Sequence, residues 1–373
     1  MEPEASPFIF DGPLPPADLV GRDVELAALR DRAARGRFTL LYAPRRYGKT
    51  SLIRRLQADT DDDRDLVVVI VDFEGCQTLD DLGRRIADAY QQLPRTATGK
   101  VLGAGASALL ALRPTVRTPV GSIDLAGPNP AATTLERLLR LPRDAATKTG
   151  VRVLVVFDEF QAVADIANAD AVLRSQIQHQ RDSVSYLFSG SERHLLQAIF
   201  ADRARPLYGQ AEQLRLGPLP GEAAVELVTT KFAQTEREAG AGLLPLVGLV
   251  AGHPQRLAFL ADALWHETPP GSVADETTWQ AALARSLRVA EPELRAVETA
   301  LTAPQRKLVR LLAWGEPPTG AAAGRLALGK GSASAALEVL VDRSVAMPRD
   351  DATPARLIDP LLAAWTRSRQ PRP

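Results

Sequence analysis

Phe38-Thr39-Leu40-Leu41-Tyr42-Ala43-Pro44-Arg45-Arg46-Tyr47-Gly48-Lys49-Thr50-Ser51-Leu52-Ile53-Arg54-Arg55-Leu56 carries three local signals in succession. The run from Phe38 to Tyr42 is apolar, too short for a helix and suited to a strand buried on both faces. From Ser51 onward the apolar positions recur at helical spacing. Between them lies a loop with one glycine. Strand, loop and helix in that order line up backbone N–H groups at a helix N-terminus, which is where anions bind.

The loop, Ala43 to Thr50, fits the Walker A pattern G-x-x-x-x-G-K-[ST] with alanine at the first glycine. The pattern places Lys49 on the β and γ phosphates of a nucleotide and gives Mg²⁺ the hydroxyl of Thr50. Pro44, Arg45, Arg46, Tyr47, Gly48 and Ser51 complete the phosphate-binding set, with Gly48 letting the backbone approach closely. Ala43 is tolerated if its φ is negative. An ordinary strand-to-helix turn is the alternative, and the composition counts against it. Only six of the 45 cations are lysine, and one of the six stands where the pattern needs it.

Working outward, strands are expected at 66–72, 151–157, 184–189 and 212–216, helices at 79–92 and 171–180, and an acidic loop at 59–65. Buried strands alternating with helices predict an α/β fold with a parallel P-loop sheet flanked by helices. Residues 1–18 read as an extended arm and 19–217 as the core. Pro, Gly, Thr and Ala mark an insertion at about 95–130, with a hairpin at 117–124. After Leu216 the pattern turns all-helical, with breaks at Gly240, Gly252-His253-Pro254 and Pro269-Pro270-Gly271, so 218–298 reads as a helical lid. Helices at 304–314 and 332–343, then two short strands around 348–354, make 299–373 a winged-helix-like domain.

A second constellation is Val153-Leu154-Val155-Val156-Phe157-Asp158-Glu159-Phe160-Gln161. An apolar strand ending in two carboxylates reads as Walker B and is expected beside the phosphate-loop strand. There Asp158 holds Mg²⁺ through water and Glu159 polarises the attacking water. A third is Tyr186-Leu187-Phe188-Ser189-Gly190-Ser191, where Ser189 or Ser191 could sense the γ phosphate; a helix N-cap by Ser191 is the other reading.

The 373 residues suffice for two or three domains. Cys76 stands alone and cannot form an intrachain disulfide; with His179, His194 and His266 it has no metal-ligand spacing. No stretch approaches about 20 apolar residues and no secretory leader is visible, so a reducing, cytoplasmic setting without a membrane span is expected. Net charge is zero. Residues 301–373 nevertheless hold 11 Lys/Arg against 6 Asp/Glu. That surplus locates possible DNA contact in 299–373 through a helix at 331–343, against protein contacts or the sensing of nucleotide state.

The chain resembles the AAA+-type P-loop ATPases of the archaeal ATPase family, within the STAND and Orc/Cdc6-like group. The resemblance is carried by Val20-Gly21-Arg22-Asp23-Val24-Glu25-Leu26, the Walker A and Walker B stretches, Phe188-Ser189-Gly190-Ser191, Gly252-His253-Pro254-Gln255-Arg256 and Leu357-Ile358-Asp359-Pro360-Leu361. It implies ATP or ADP with Mg²⁺ and an ATPase acting as a nucleotide-dependent switch, with an ATP-gated DNA regulator or a non-hydrolysing scaffold as alternatives. Val20, Gly21 and Arg22 would lie against the adenine. Pro254 could touch the base, and Arg256 would be a sensor arginine near the phosphates. Arg203 and Arg205 are candidates for trans-acting arginines in a homo-oligomer, although Gln210 replaces the basic residue often found after the Tyr-Gly pair.

Overall fold

The computed structural model describes residues 5–60, 65–93, 96–111, 115–118, 121–124, 130–191, 193–349 and 354–373. The chain divides into two units, one made of Pro15–Ala43 and Lys49–Leu216, the other of Met1–Leu14, Pro44–Gly48 and Gly217–Pro373.

The first unit contains α1 (Asp23–Ala34), β1 (Thr39–Tyr42), α2 (Lys49–Ala58), β2 (Leu66–Asp72), α3 (Leu79–Gln91), α4 (Ala97–Ala111), β3 (Thr115–Thr118) and β4 (Gly121–Asp124). It continues with α5 (Pro130–Thr149), β5 (Arg152–Asp158), α6 (Ala169–Ile177), β6 (Val184–Gly190), α7 (Arg193–Phe200) and β7 (Glu212–Arg215). Five strands form one parallel sheet in the order β2-β5-β6-β1-β7. The apolar runs are strands because both their faces are covered: β6 is buried at every residue and β5 from Val153 to Asp158. Phe160 packs edge-on against Phe188 at 4.7 Å and lies 5.7 Å from Phe200, fixing the chain just after β5.

Two expectations are corrected here. The Walker B strand β5 is not beside the phosphate-loop strand β1, because β6 lies between them, pairing Leu41 with Ser189 on one side and Phe157 with Phe188 on the other. Strand order is set by how the crossover helices pack, and runs of equal apolarity do not record it. Second, the stretch at about 95–130, whose Pro, Gly, Thr and Ala were read as interrupting the pattern, holds the helix α4, packed against α3 and α5. Its glycines serve close approach: a Cβ on Gly105 would come 2.8 Å from Leu141 Cδ2, and one on Gly103 3.3 Å from the Tyr90 carbonyl. The expected hairpin is present as antiparallel β3 and β4. The acidic loop falls largely on residues 61–64, outside the described residues.

The second unit contains α8 (Gly221–Ala233), α9 (Leu243–Val250), α10 (Pro254–Glu267), α11 (Glu276–Thr299), α12 (Ala303–Ala313), α13 (Ala321–Arg325) and α14 (Lys330–Asp342). A two-stranded antiparallel pair, β8 (Ala346–Met347) and β9 (Arg356–Leu357), and α15 (Pro360–Arg369) complete it. The N-terminal segment docks here, with Phe8 packed 5.8 Å from Phe232 and Lys231 donating to the Pro7 carbonyl at 2.9 Å. Helix α11 starts at a capping box of Asp275 and Thr278 and continues through Pro292. Residues 350–353, between β8 and β9, lie outside the described residues.

Candidate functional site

Ala43 is buried and does not have positive φ, so the alanine fits where the pattern has glycine. Gly48 has φ +87° and a Cβ there would meet nothing within 4 Å. Its backbone conformation, not crowding by the protein, therefore requires glycine. Arg46 also adopts a left-handed φ of 67°. Lys49 opens α2 almost wholly buried, 6% exposed, and its Nζ donates to the Ala43 carbonyl at 3.3 Å, folding the side chain back over the loop. Ser51 is buried beside it in sequence.

Thr50 Oγ1 donates to Asp158 Oδ2 at 3.4 Å, so the Walker A hydroxyl and the Walker B carboxylate meet across the intervening strand. Asp158 is 6% exposed. Burial pushes its carboxyl above the ordinary range, and the neighbouring Glu159 charge adds to this, while the Ser189 hydroxyl, the Glu159 N–H and Lys49 act against it. A buried carboxylate beside a hydroxyl is a set of hard oxygen donors, the kind Mg²⁺ takes. Ser189, on β6, is fully buried, and its Oγ makes no hydrogen bond of ordinary geometry.

Glu159 sits just past β5 with left-handed φ 49° and ψ 42°, and its N–H donates to Asp158 Oδ1 at 3.1 Å. Ser191 Oγ donates to Glu159 Oε2 at 3.2 Å, and Gln161 Nε2 donates to the same oxygen. The structure therefore assembles Lys49, Thr50, Asp158, Glu159, Ser189 and Ser191 in the first unit.

Other candidates have different company. Gly21 has φ +62°, Val20 is half-buried, and Arg22, 4% exposed, pairs with Glu25 at 3.1 Å. Arg205 pairs with the buried Asp170 at 3.1 Å, whereas Arg203 is exposed. In the second unit Pro254 is the first residue of α10, and the His253 side chain caps that helix by accepting the Arg256 N–H at 3.3 Å. His253 also meets the Tyr47 ring at 5.0 Å between centroids.

Arg256 is 3% exposed and held by carboxylates. Its Nε and Nη2 donate to Asp359 at 3.0 and 2.5 Å, and Nη2 reaches Glu293 at 3.3 Å. Burial works against its charge, but these two partners more than offset it and hold the guanidinium above its ordinary value. Glu293 binds Arg46 of the loop at 2.7 Å through its other oxygen. The sequence reading assigned no role to Glu293, Asp359 or Gln161. Asp-Pro at 359–360 is a helix-start signal that could have flagged Asp359, whereas nothing local marks Glu293.

The sequence profile of the AAA domain matches residues 32–200, which include Lys49, Thr50, Asp158, Glu159, Ser189 and Ser191. The chain carries a P-loop AAA domain. Around this AAA domain the whole chain has the Orc/Cdc6-like fold. It is similar to the Walker-type ATPase of Pyrococcus abyssi (TM-score 0.67, 19% identity, 94% of this chain and 97% of that one). It is also similar to the Aeropyrum pernix ORC2 protein, solved in complexes with ADPNP and ADP (TM-score 0.59, 17% identity, 96% and 95% covered). No curated protein sequence matches the chain. Among the described residues no helix is long and apolar enough to cross a membrane.

Proposed function

We propose that the chain is a Mg-ATP-dependent switch whose AAA domain hydrolyses ATP slowly, with the helical lid and the winged-helix-like segment responding to nucleotide state. The observation that carries this reading is the meeting of Thr50 with Asp158 at 3.4 Å beside a buried Lys49 and the donor-held Glu159. In it the loop N–H groups and Lys49 bind the phosphates, and Thr50 and Asp158 hold Mg²⁺. Bound there, Mg²⁺ supplies neutralisation of charge on the phosphate oxygens. Glu159 accepts a proton from the attacking water, and Ser189 or Ser191 orients that water or the γ phosphate. Val20, Gly21, Arg22 and Pro254 line the adenine, and Arg45, Arg46, Tyr47 and Ser51 complete the phosphate side. Adenine and both nucleotide states are supported by the Aeropyrum relative's complexes.

Coupling to the rest of the chain runs through Arg256. A phosphate and the carboxylates of Glu293 and Asp359 are alternative partners for the same guanidinium, and Asp359 also caps α15 by accepting the Leu361 N–H at 2.9 Å. Nucleotide state is thereby read at the start of the last helix. The exposed side of α14 mixes Lys330, Ser332 and Ser334 with Glu338 and Asp342, which suits a protein partner better than a DNA backbone.

ATP turnover measured on Lys49→Ala and Glu159→Gln tests the reading. Both variants should lose turnover, and Glu159→Gln should keep binding ATP. Turnover surviving in both would refute it. Nucleotide binding with no multiple-turnover hydrolysis by the native chain would favour a scaffold instead.

A further inference from the structure

Resting on the hydrolytic reading of this site, we propose that Gln161 is its positioning residue: with Ser191 it occupies Oε2 of Glu159 and leaves Oε1 as the oxygen that takes the proton from water. Both donors converge on that one oxygen. An amide N–H and a hydroxyl on the same oxygen restrict the carboxylate's rotation more than a single bond would.

The backbone is built to deliver this contact. Glu159 takes left-handed φ, a costly conformation for a residue with a side chain. A 3-10 turn, Phe160–Asp165, starts immediately after it, closed by Ala162 N–H to the Glu159 carbonyl at 3.1 Å. Phe160 anchors that turn in the aromatic core, and the turn brings the Gln161 side chain back onto its neighbour two residues earlier.

A second, independent observation comes from β6. A Cβ on Gly190 would stand 2.2 Å from Gln161 Oε1 and 3.3 Å from its Cδ, so the strand leaves room for this amide. Gln161 Oε1 is buried without a hydrogen-bond partner. Rotating the amide would satisfy nothing, since it would set its oxygen against the Glu159 carboxylate. The donor to Glu159 is thus the contact that decides the orientation of the whole side chain.

The test compares ATP turnover and ADP affinity, by steady-state kinetics and calorimetry on the full chain, for the native protein, Gln161→Glu and Gly190→Ala. Gln161→Glu keeps the shape and replaces the donor by an acceptor. Its kcat should fall by roughly a hundredfold, the scale of a small misplacement of a catalytic group. KM for ATP and Kd for ADP should stay within about twofold, because loss of orientation alone lowers kcat without weakening uniform binding. Gly190→Ala, which displaces the amide without changing its chemistry, should reproduce the same split. Native-like kcat in Gln161→Glu would overturn the positioning role, as would a rise in kcat, which would make Gln161 a restraint. Parallel losses in KM, Kd and thermal midpoint would make it structural. A native chain that binds ADP but never turns over ATP would overturn the hydrolytic reading and this role with it.

Discussion

Lysine is rare in this chain, and Lys49 is buried with its amine returned to the loop carbonyl of Ala43. Replacing it by alanine removes a charged donor to phosphate, a contact typically worth about 1.5–3 kcal/mol, so ATP affinity should fall roughly tenfold to hundredfold. Titration with a fluorescent nucleotide reads this directly. Asp158→Asn should separate from it, abolishing the Mg²⁺ dependence of binding while metal-free ADP affinity changes little.

A pH effect belongs to the same scale. Burial, helped by the charges of Arg256 and Arg46 and opposed by Asp359, lowers the His253 imidazole from 6.5 to about 4. The unfolded chain therefore binds this proton first, and the neutral ring's contribution is complete above about pH 6.5. It is lost as pH falls toward 4, by up to about 3 kcal/mol. Protonation also removes the Nδ1 lone pair that caps α10. Thermal midpoints should drop over that window in the native chain, and His253→Asn, which keeps a capping oxygen, should flatten the drop.

Among the elements, α15 is where a single side chain does two jobs, since Asp359 caps the helix and pairs with Arg256. Asp359→Ala leaves the buried guanidinium with Glu293 as its remaining carboxylate among the described residues, a change expected to cost about 3–5 kcal/mol. Denaturant melts should show this, whereas Asp359→Asn, which keeps the cap, should recover about 1 kcal/mol.

How much of the fold could be read from sequence also divides at this level. The strands β1, β2, β5 and β6 were visible because each is a short, largely apolar run, and α3 because Thr78 and Asp81 form a capping box at its start, whereas β7, Glu-Gln-Leu-Arg, is polar and mostly exposed. Helix α4 was hidden by glycines that serve packing, α5 by Pro142 and the end of α11 by Pro292, residues that normally break helices. Within the site, Lys49, Thr50, Asp158 and Glu159 were legible because their chemistry demands fixed spacing. Gln161 was in view without a role, and Glu293 and Asp359 were not assigned one, because their partners lie far off in sequence.

At the scale of the whole molecule, assembly separates the candidate arginines. Arg205 is committed to Asp170 within its own unit, so a trans-acting role falls to exposed Arg203. Light scattering in a non-hydrolysable ATP analogue should then show self-association that Arg203→Ala weakens. If the chain stays monomeric in the analogue, no trans-acting arginine operates. Duplex DNA at low salt should give no gel shift, in keeping with the mixed charge on α14.

The loop segment Pro44–Gly48 groups with the unit formed mainly by residues beyond Leu216, where Tyr47 meets His253 and Arg46 meets Glu293. Genetic dissection therefore cannot follow the linear order of the motifs. A gene fragment ending at Leu216 would retain every Walker residue yet strip the loop of the partners that shape it, and protease nicking at 44–48 would be the first sign. That nicking would then trace to the loss of Glu293 and His253, which hold Arg46 and Tyr47 within that unit, with the Walker residues themselves unchanged.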